Sequence, residues 1–431
     1  MRWILNAFYL SLLPWAAPYW LWKLPQARRY RAGVLERLGL APRSSGGAGR
    51  LWIHCASVGE ASIPRQLVAR FRGEHPQWEV AFSTCTDTGA SRLRGLYPGC
   101  PVFYLPLDLS FCVERALSRV QPSLVVLLEL EMWPNFLLGC LGRGIPVAIV
   151  SGRINEPSAR FLRGLTRLCP GLWQAVSVCC ARSAAEAARF VQAGLSAGRV
   201  FADGSLKYET LVLEVDRGEQ DSLRQRLGLA QGVRVLVAGS IHPGEEEIVC
   251  RVYGKLVGRH GDLRLVLVPR HVEAAALMAR RVEAAGLSVV RKTDIDSGRR
   301  TPSGTEVVLV DTIGELIACY SIATCAFVGR SLVRPGGGQN MMEPAALGKP
   351  VLVGPFTGNF EPEMDLLLAR GAVVVVQDES SLLSELDRLL TDGEAARALG
   401  QHARLAVTES RGATERTFGR IEALLAERGL L

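Results

Sequence analysis

Short apolar runs alternate with amphipathic stretches along most of this chain, and that rhythm stops once and then restarts. Alternation of this kind is what βαβ units with a parallel sheet produce, because a strand covered on both faces reads as a near-continuous apolar run. In the first series, strands are expected at Leu51–Ala56, Val80–Thr84, Val102–Leu105, Leu124–Leu128, Val147–Val150 and Ala175–Cys180. After a polar stretch around Asp216–Gln231 the pattern resumes at Val233–Ala238, Leu263–Val268, Val307–Val310, Thr324–Val328, Val351–Val353 and Ala372–Val376. The chain has 431 residues, and a single core stops growing at about 250–300 residues. The fold class is therefore α/β, with two doubly wound Rossmann-like domains. No short repeat is present, which excludes solenoids and propellers. Ligands of such sheets bind beyond the carboxyl ends of the strands, so two facing domains would line a cleft with the loops that follow each strand.

From Trp3 to Trp22 there are twenty uncharged, mostly apolar residues, about the length of a membrane-crossing helix. Pro14 and Pro18 weaken a straight helix, and a cleaved signal peptide is the alternative. Arg2 alone precedes the run, while Lys23, Arg28, Arg29, Arg31, Arg37, Arg43 and Arg50 follow it. The positive-inside bias then keeps the rest of the chain in the cytoplasm, which argues against cleavage. Residues 1–23 are expected to be an anchor that localises the protein without belonging to its fold. The formal charge of +8 gathers in this basic cluster, which suits cytoplasmic-membrane lipids; no nucleic-acid recognition motif accompanies it. Eleven cysteines follow no metal-ligand spacing. Cys55, Cys85 and Cys325 lie in strand-like runs as small hydrophobes, which fits a reducing compartment and no zinc site.

The loops after the strands carry the candidate chemistry. Ser57-Val58-Gly59-Glu60 reads either as a capping box or as a carboxylate placed to take a proton from a hydroxyl. Glu129 and Glu131, before Trp133-Pro134-Asn135, are spaced to share one side of an extended segment; an exposed strand end or a functional pair both account for them. Gly239-Ser240-Ile241-His242-Pro243-Gly244 leads into the acidic run Glu245–Glu247, which reads as a complement to a helix dipole, with Pro243 suited to the first turn. Pro269-Arg270-His271 ends a strand where a basic group can meet a phosphate. Gly336, Gly337 and Gly338 precede Gln339, Asn340 and a helix holding Glu343. That stretch is either a flexible loop capping a helix or a phosphate cradle of backbone N–H groups with a ribose-binding Glu.

The order of these motifs resembles the Kdo transferases of lipopolysaccharide biosynthesis. The resemblance runs from about Trp52 to the C-terminus, adding Leu105-Pro106-Leu107-Asp108, Gly204-x-Leu206-Lys207 and Asp311-Thr312-Ile313-Gly314-Glu315-Leu316 to the motifs above. It implies a GT-B glycosyltransferase fold, with residues 24–215 binding the acceptor and residues 216–431 binding CMP-Kdo. Glu60 would be the general base and Glu131 an essential acceptor-side carboxylate. Arg270, Gly314, Glu315, Asn340 and Glu343 would line the CMP pocket, with Ser240, His242 and Lys207 nearby and Gly336–Gly338 as the phosphate loop. Gly329-Arg330-Ser331 and Gly338-Gln339-Asn340 depart from the family's usual Gly-Gly-Ser and Gly-His-Asn, as do Glu129-Leu130-Glu131 and Ser151-Gly152-Arg153 from Glu-Thr-Glu and Asn-Ala-Arg.

The implied reaction is inverting transfer of Kdo from CMP-Kdo to a lipid A precursor at the cytoplasmic face of the inner membrane. The donor carries its own leaving group, so the resemblance implies neither metal nor cofactor. The competing expectations are a sugar-nucleotide 2-epimerase of the same architecture, which leaves the anchor unexplained, and a non-catalytic lipid-binding scaffold, which leaves the carboxylates unexplained.

Overall fold

The computed structural model describes residues 5–7, 9, 11, 33–43, 46–169, 171–302 and 304–431. Within them the chain divides into two compact units, residues 1–210 with 410–431, and residues 211–409.

The first unit is built on a seven-stranded sheet of β1 (Gly49–His54), β2 (Trp78–Thr84), β3 (Val102–Tyr104), β4 (Leu124–Leu128), β5 (Val147–Gly152), β6 (Val176–Ala181) and β7 (Val200–Ala202). Their spatial order is β3-β2-β1-β4-β5-β6-β7. The second unit has β8 (Arg234–Ile241), β9 (Leu263–Pro269), β10 (Val289–Arg291), β11 (Val307–Leu309), β12 (Cys325–Val328), β13 (Val351–Val353) and β14 (Val374–Val375), ordered β10-β11-β9-β8-β12-β13-β14. All paired strands are parallel. Both units are thus Rossmann-like, as the apolar rhythm predicts. Sequence reading misses only β7 and β10, three-residue strands at sheet edges, where one neighbour suffices and no long apolar run is needed.

Each order reverses once, between β1 and β4 and between β8 and β12. Successive crossovers leave in opposite directions there, which opens a crevice at the carboxyl ends. Burial fixes these four strands firmly. In β1, Trp52 is fully buried against the rings of Phe103 and Phe136, both with centroids 5.1 Å away. Truncating such a ring in a packed core costs roughly 3–5 kcal/mol.

Residues Ser410–Leu431 return to the first unit, whereas the sequence assigns everything from 216 onward to the second. The helix Ala413–Glu427 explains the return. Its Phe418, Ile421, Leu424 and Leu425 join Phe71 and Val178 in one buried cluster, and Glu422 Oε1 lies 2.6 Å from His75 Nε2. An amphipathic pattern shows that this helix has an apolar face but not which sheet receives it.

The expected anchor, residues 1–23, falls mostly outside the described residues. Among the described residues no helix is long and apolar enough to cross a membrane. The described part does contribute to the fold, which corrects the expectation that it would not. Asn6 is buried and accepts from Ser110 N at 3.0 Å and Asn135 Nδ2 at 3.1 Å, while Tyr9 Oη donates to Asp108 Oδ2 at 3.0 Å. Asp108 also accepts from the N–H groups of Asn135 (3.1 Å) and Phe136 (2.8 Å). Those are orphan donors at the start of the helix Pro134–Gly142, so the Asp108 carboxylate serves as its cap.

Candidate active site

In the first unit, the loops that leave β1 and β4 at the reversal carry Glu60, Glu129 and Glu131. Glu60 Oε2 accepts from Ala56 N and Oε1 from Ser57 Oγ, each at 2.8 Å. This is not a helix cap: the following helix starts only at Arg65, with Pro64 before it, and Ser57 donates to the carboxylate. The bland reading of the motif therefore loses its structural basis. Burial pushes the Glu60 carboxyl above its usual range, opposed by its two hydrogen bonds and by Lys207.

Glu129 has a left-handed backbone, φ 57°. That turn breaks the strand alternation, so Glu129 and Glu131 take different partners instead of sharing one face. Glu129 Oε1 meets Lys207 Nζ at 2.6 Å, and although burial alone would raise its pKa, the ammonium holds it below the usual range. Lys207, expected among the donor groups, thus sits with the carboxylates of the first unit. Glu131 Oε2 accepts from Trp133 Nε1 at 2.7 Å and lies 3.9 Å from His54 Nε2. Burial pushes Glu131 up to about 7 despite that bond, and Glu60 and Glu129 add repulsion. Burial also lowers His54 to about 4, so at neutral pH this imidazole is uncharged and gives Glu131 no counter-ion. His54, held by Ser83 Oγ at 2.9 Å, was missed in the sequence because a histidine inside an apolar strand has no distinguishing spacing.

A raised carboxyl makes folding weaker as it ionises. Glu131 is protonated in both folded and unfolded chains below pH 4.5, and stability is lost as pH rises towards the folded value near 7. Glu131→Gln escapes that loss. It should match the wild type at pH 4 and exceed its stability at pH 8 by about 3 kcal/mol, read from denaturant melts at both pH values. Parallel curves for the two proteins would show that Glu131 carries no such penalty.

In the second unit, the reversal lies between the loops after β8 and β12. Ser240 adopts φ 55°, and Gly239 must lack a side chain because a Cβ would fall 2.1 Å from Tyr320 Oη. His242 stands edge-on to His271 at 5.9 Å and contacts Gln339 Nε2 through its own Nε2 at 3.3 Å. Burial, aided by Arg330, His271 and Arg270, outweighs Glu245 and lowers its pKa. Glu343 Oε1 accepts from Asn340 Nδ2 at 3.0 Å; burial raises its carboxyl, with Asn340 and the exposed Arg270 pulling the other way. Four expected donor groups, His242, Arg270, Asn340 and Glu343, therefore share one electrostatic neighbourhood. Glu315, after β11, is tied to the buried Lys292 at 2.9 Å and to Thr312 Oγ1 at 2.7 Å, which gives it a structural task, while Gly314 beside it is exposed with φ 91°.

The glycine loop has its own reason for glycine. Gly336, Gly337 and Gly338 all have positive φ, and a Cβ on Gly336 or Gly337 would collide with Phe356 or Asn359. Gly337 N donates to Phe356 O at 3.0 Å and Gly338 N to Arg330 O at 2.7 Å. These two amides are spent inside the unit, and the helix that follows, Met342–Ala346, has five residues and a correspondingly small dipole. An anion here would depend on side chains.

Glu245 is the residue that the sequence most misleads about. Its carboxylate, fully buried, accepts from His242 N (3.0 Å), Arg330 N (2.6 Å), Ser331 N (2.8 Å) and Leu332 N (2.9 Å). It ties the β8 loop to the β12 loop. The helix it opens begins at Glu245 itself, with Gly244 before it, so Pro243 lies outside the first turn.

A family profile described as "3-Deoxy-D-manno-octulosonic-acid transferase (kdotransferase)" matches residues 32–210. The 3-deoxy-D-manno-octulosonic acid transferase of Haemophilus influenzae is 32% identical over 418 residues, covering 95% of this chain and 96% of that protein. The one of Bordetella pertussis is 31% identical, covering 97% and 98%. Among solved structures, a UDP-N-acetylglucosamine 2-epimerase aligns over 89% of this chain and 96% of its own with a TM-score of 0.57, but at 15% identity that likeness is one of fold. With relatives above 30% identity along nearly its whole length, the chain belongs to the 3-deoxy-D-manno-octulosonic acid transferase family.

Proposed function

We propose that this protein is an inverting glycosyltransferase of the GT-B class that moves Kdo from CMP-Kdo to a hydroxyl of a lipid A precursor, working at the cytoplasmic face of the inner membrane. The observation that carries the reading is the near-full-length identity to Kdo transferases. The first unit takes the acceptor: its half-buried carboxylates at the β1/β4 reversal are of the kind a proton-accepting base requires. Glu60 removes the hydroxyl proton, and the resulting alkoxide attacks the anomeric carbon as CMP leaves. Glu131, beside neutral His54, orients the acceptor. Its pKa near 7 also suits a base, which makes it the second candidate for that role. The second unit holds CMP, with Glu343 accepting from ribose and Arg270 facing phosphate. The basic residues Lys23, Arg28, Arg29, Arg31 and Arg43 favour anionic lipid, whereas Arg50, counted with them in the sequence, is buried and paired with Glu79, and Arg37 donates to Cys85 O.

Incubation with CMP-Kdo and lipid acceptor, followed by mass analysis of both, tests the reading. A lipid heavier by Kdo is the expected result; rearranged nucleotide sugar would favour the epimerase, and an unchanged mixture would overturn the proposal. Losing a charge-assisted bond costs roughly 1.5–3 kcal/mol, so Glu343→Ala should weaken CMP binding about 10- to 100-fold. Calorimetry giving unchanged affinity in a folded variant would remove Glu343 from the ribose site.

A further inference from the structure

Arg330 stands second in the loop after β12, behind Gly329, at the reversal of the second sheet, and holds φ 56°. Left-handed backbone is costly for a long side chain and persists only where the surroundings impose it. Here they do: Arg330 N is held by Glu245 Oε2 at 2.6 Å and Arg330 O by Gly338 N at 2.7 Å. The side chain is aimed as well, since its Nε donates to Gly336 O at 2.9 Å.

Arg330 lines a pocket of about 190 Å³ together with His242, Pro243, Val333, Arg334 and Gly336. Arg334 is steadied by the Phe356 ring, 5.0 Å from its guanidinium carbon. Glu245, the one carboxylate in the wall, has spent both oxygens on four backbone N–H groups. Among the described residues neither arginine is in an ion pair with a carboxylate. Two arginines lining one small cavity, Arg330 aimed by its bond to Gly336 O and the exposed Arg334 resting on the Phe356 ring, form a fork for a compact oxyanion. The amides of Gly337 and Gly338 are already engaged, so an anion in this pocket would be met by side chains, the two arginines foremost.

We propose that Arg330 and Arg334 form an anion-binding subsite of the second unit, with Arg330 clamping a phosphate or carboxylate oxyanion of the nucleotide sugar. The identity of the ligand rests on the function proposed above; the presence of an anion seat does not. Arg330→Gly is the informative variant, because glycine adopts φ 56° without strain and the fold should melt no lower than the wild type.

Calorimetry at low salt with cytidine and with CMP, and the donor KM in the transfer assay, separate the two sources. If the seat takes the nucleotide phosphate, Arg330→Gly lowers CMP affinity about 10- to 100-fold and leaves cytidine unchanged. If it takes the carboxylate of the sugar, CMP affinity persists and the donor KM rises by a similar factor. Unchanged CMP affinity together with unchanged donor KM overturns the proposal. Should the wild type bind no CMP, the nucleotide reading fails by itself, and inorganic phosphate alone becomes the probe. Protection of the wild type against heat that Arg330→Gly lacks then supports the seat, and equal protection of both proteins refutes it.

Discussion

Glu60→Gln should lower the turnover of Kdo transfer about 10²- to 10⁴-fold while CMP-Kdo binding and melting temperature stay near the wild type. Gln preserves the shape and can still accept from Ala56 N through its oxygen, but it cannot take a proton. The structure sharpens this test by removing the competing account. With the helix starting at Arg65, Glu60 caps nothing, and the stability it lends is limited to a local turn. Burial raises its carboxyl, which brings the conjugate base closer to the strength needed at neutral pH. Parallel measurement of Glu131→Gln decides between the two candidates. Near-normal turnover by a well-folded Glu60→Gln, with collapse of turnover in Glu131→Gln, would move the base to Glu131.

Glu245→Ala is expected to be the most damaging single change for stability in the second unit. It strips the acceptor from four backbone N–H groups held by a fully buried carboxylate. Breaking buried charge-assisted interactions of this kind costs roughly 3–5 kcal/mol, a fall of roughly 10 °C in melting temperature for a unit of this size. Glu245→Gln should rescue little, because its amide would turn N–H donors towards N–H donors. That contrast with Glu60, where Gln is benign for the fold, distinguishes a carboxylate used for architecture from one used for chemistry. A Glu245→Ala protein that melts within a degree of the wild type would refute the assignment.

Central strands were legible in the sequence because a strand covered on both faces must be apolar throughout. The edge strands β7 and β10 were not, since three residues with one neighbour need no such run. The β1 and β4 loops were readable as sites because carboxylates just past apolar strands are conspicuous, and Glu60 and Glu131 do lie at the reversal of the sheet. What spacing could not supply was partners. Glu129 looked equivalent to Glu131 until its left-handed turn sent it to Lys207, and three adjacent glutamates gave no hint that Glu245 reaches a loop more than eighty residues away. Three glycines in a row suggested free amides; tertiary folding had already used two of them. Arg330 stood out only as a departure from a family pattern, and its orientation is fixed by contacts no local sequence encodes.

The return of residues 410–431 to the first unit has a consequence for biosynthesis. A ribosome releases the chain from its N-terminus, so the sheet of β1–β7 emerges early, yet the helix Ala413–Glu427 that covers Phe71 and Val178 is made only after the second unit. The intervening residues 211–409 take about 10–40 s to synthesise at roughly 5–20 residues per second. During that interval an apolar face of the nascent first unit stays uncovered, which makes it a natural client for chaperones, and a ribosome stalled just short of the C-terminus would leave a complete second unit beside an unfinished first one.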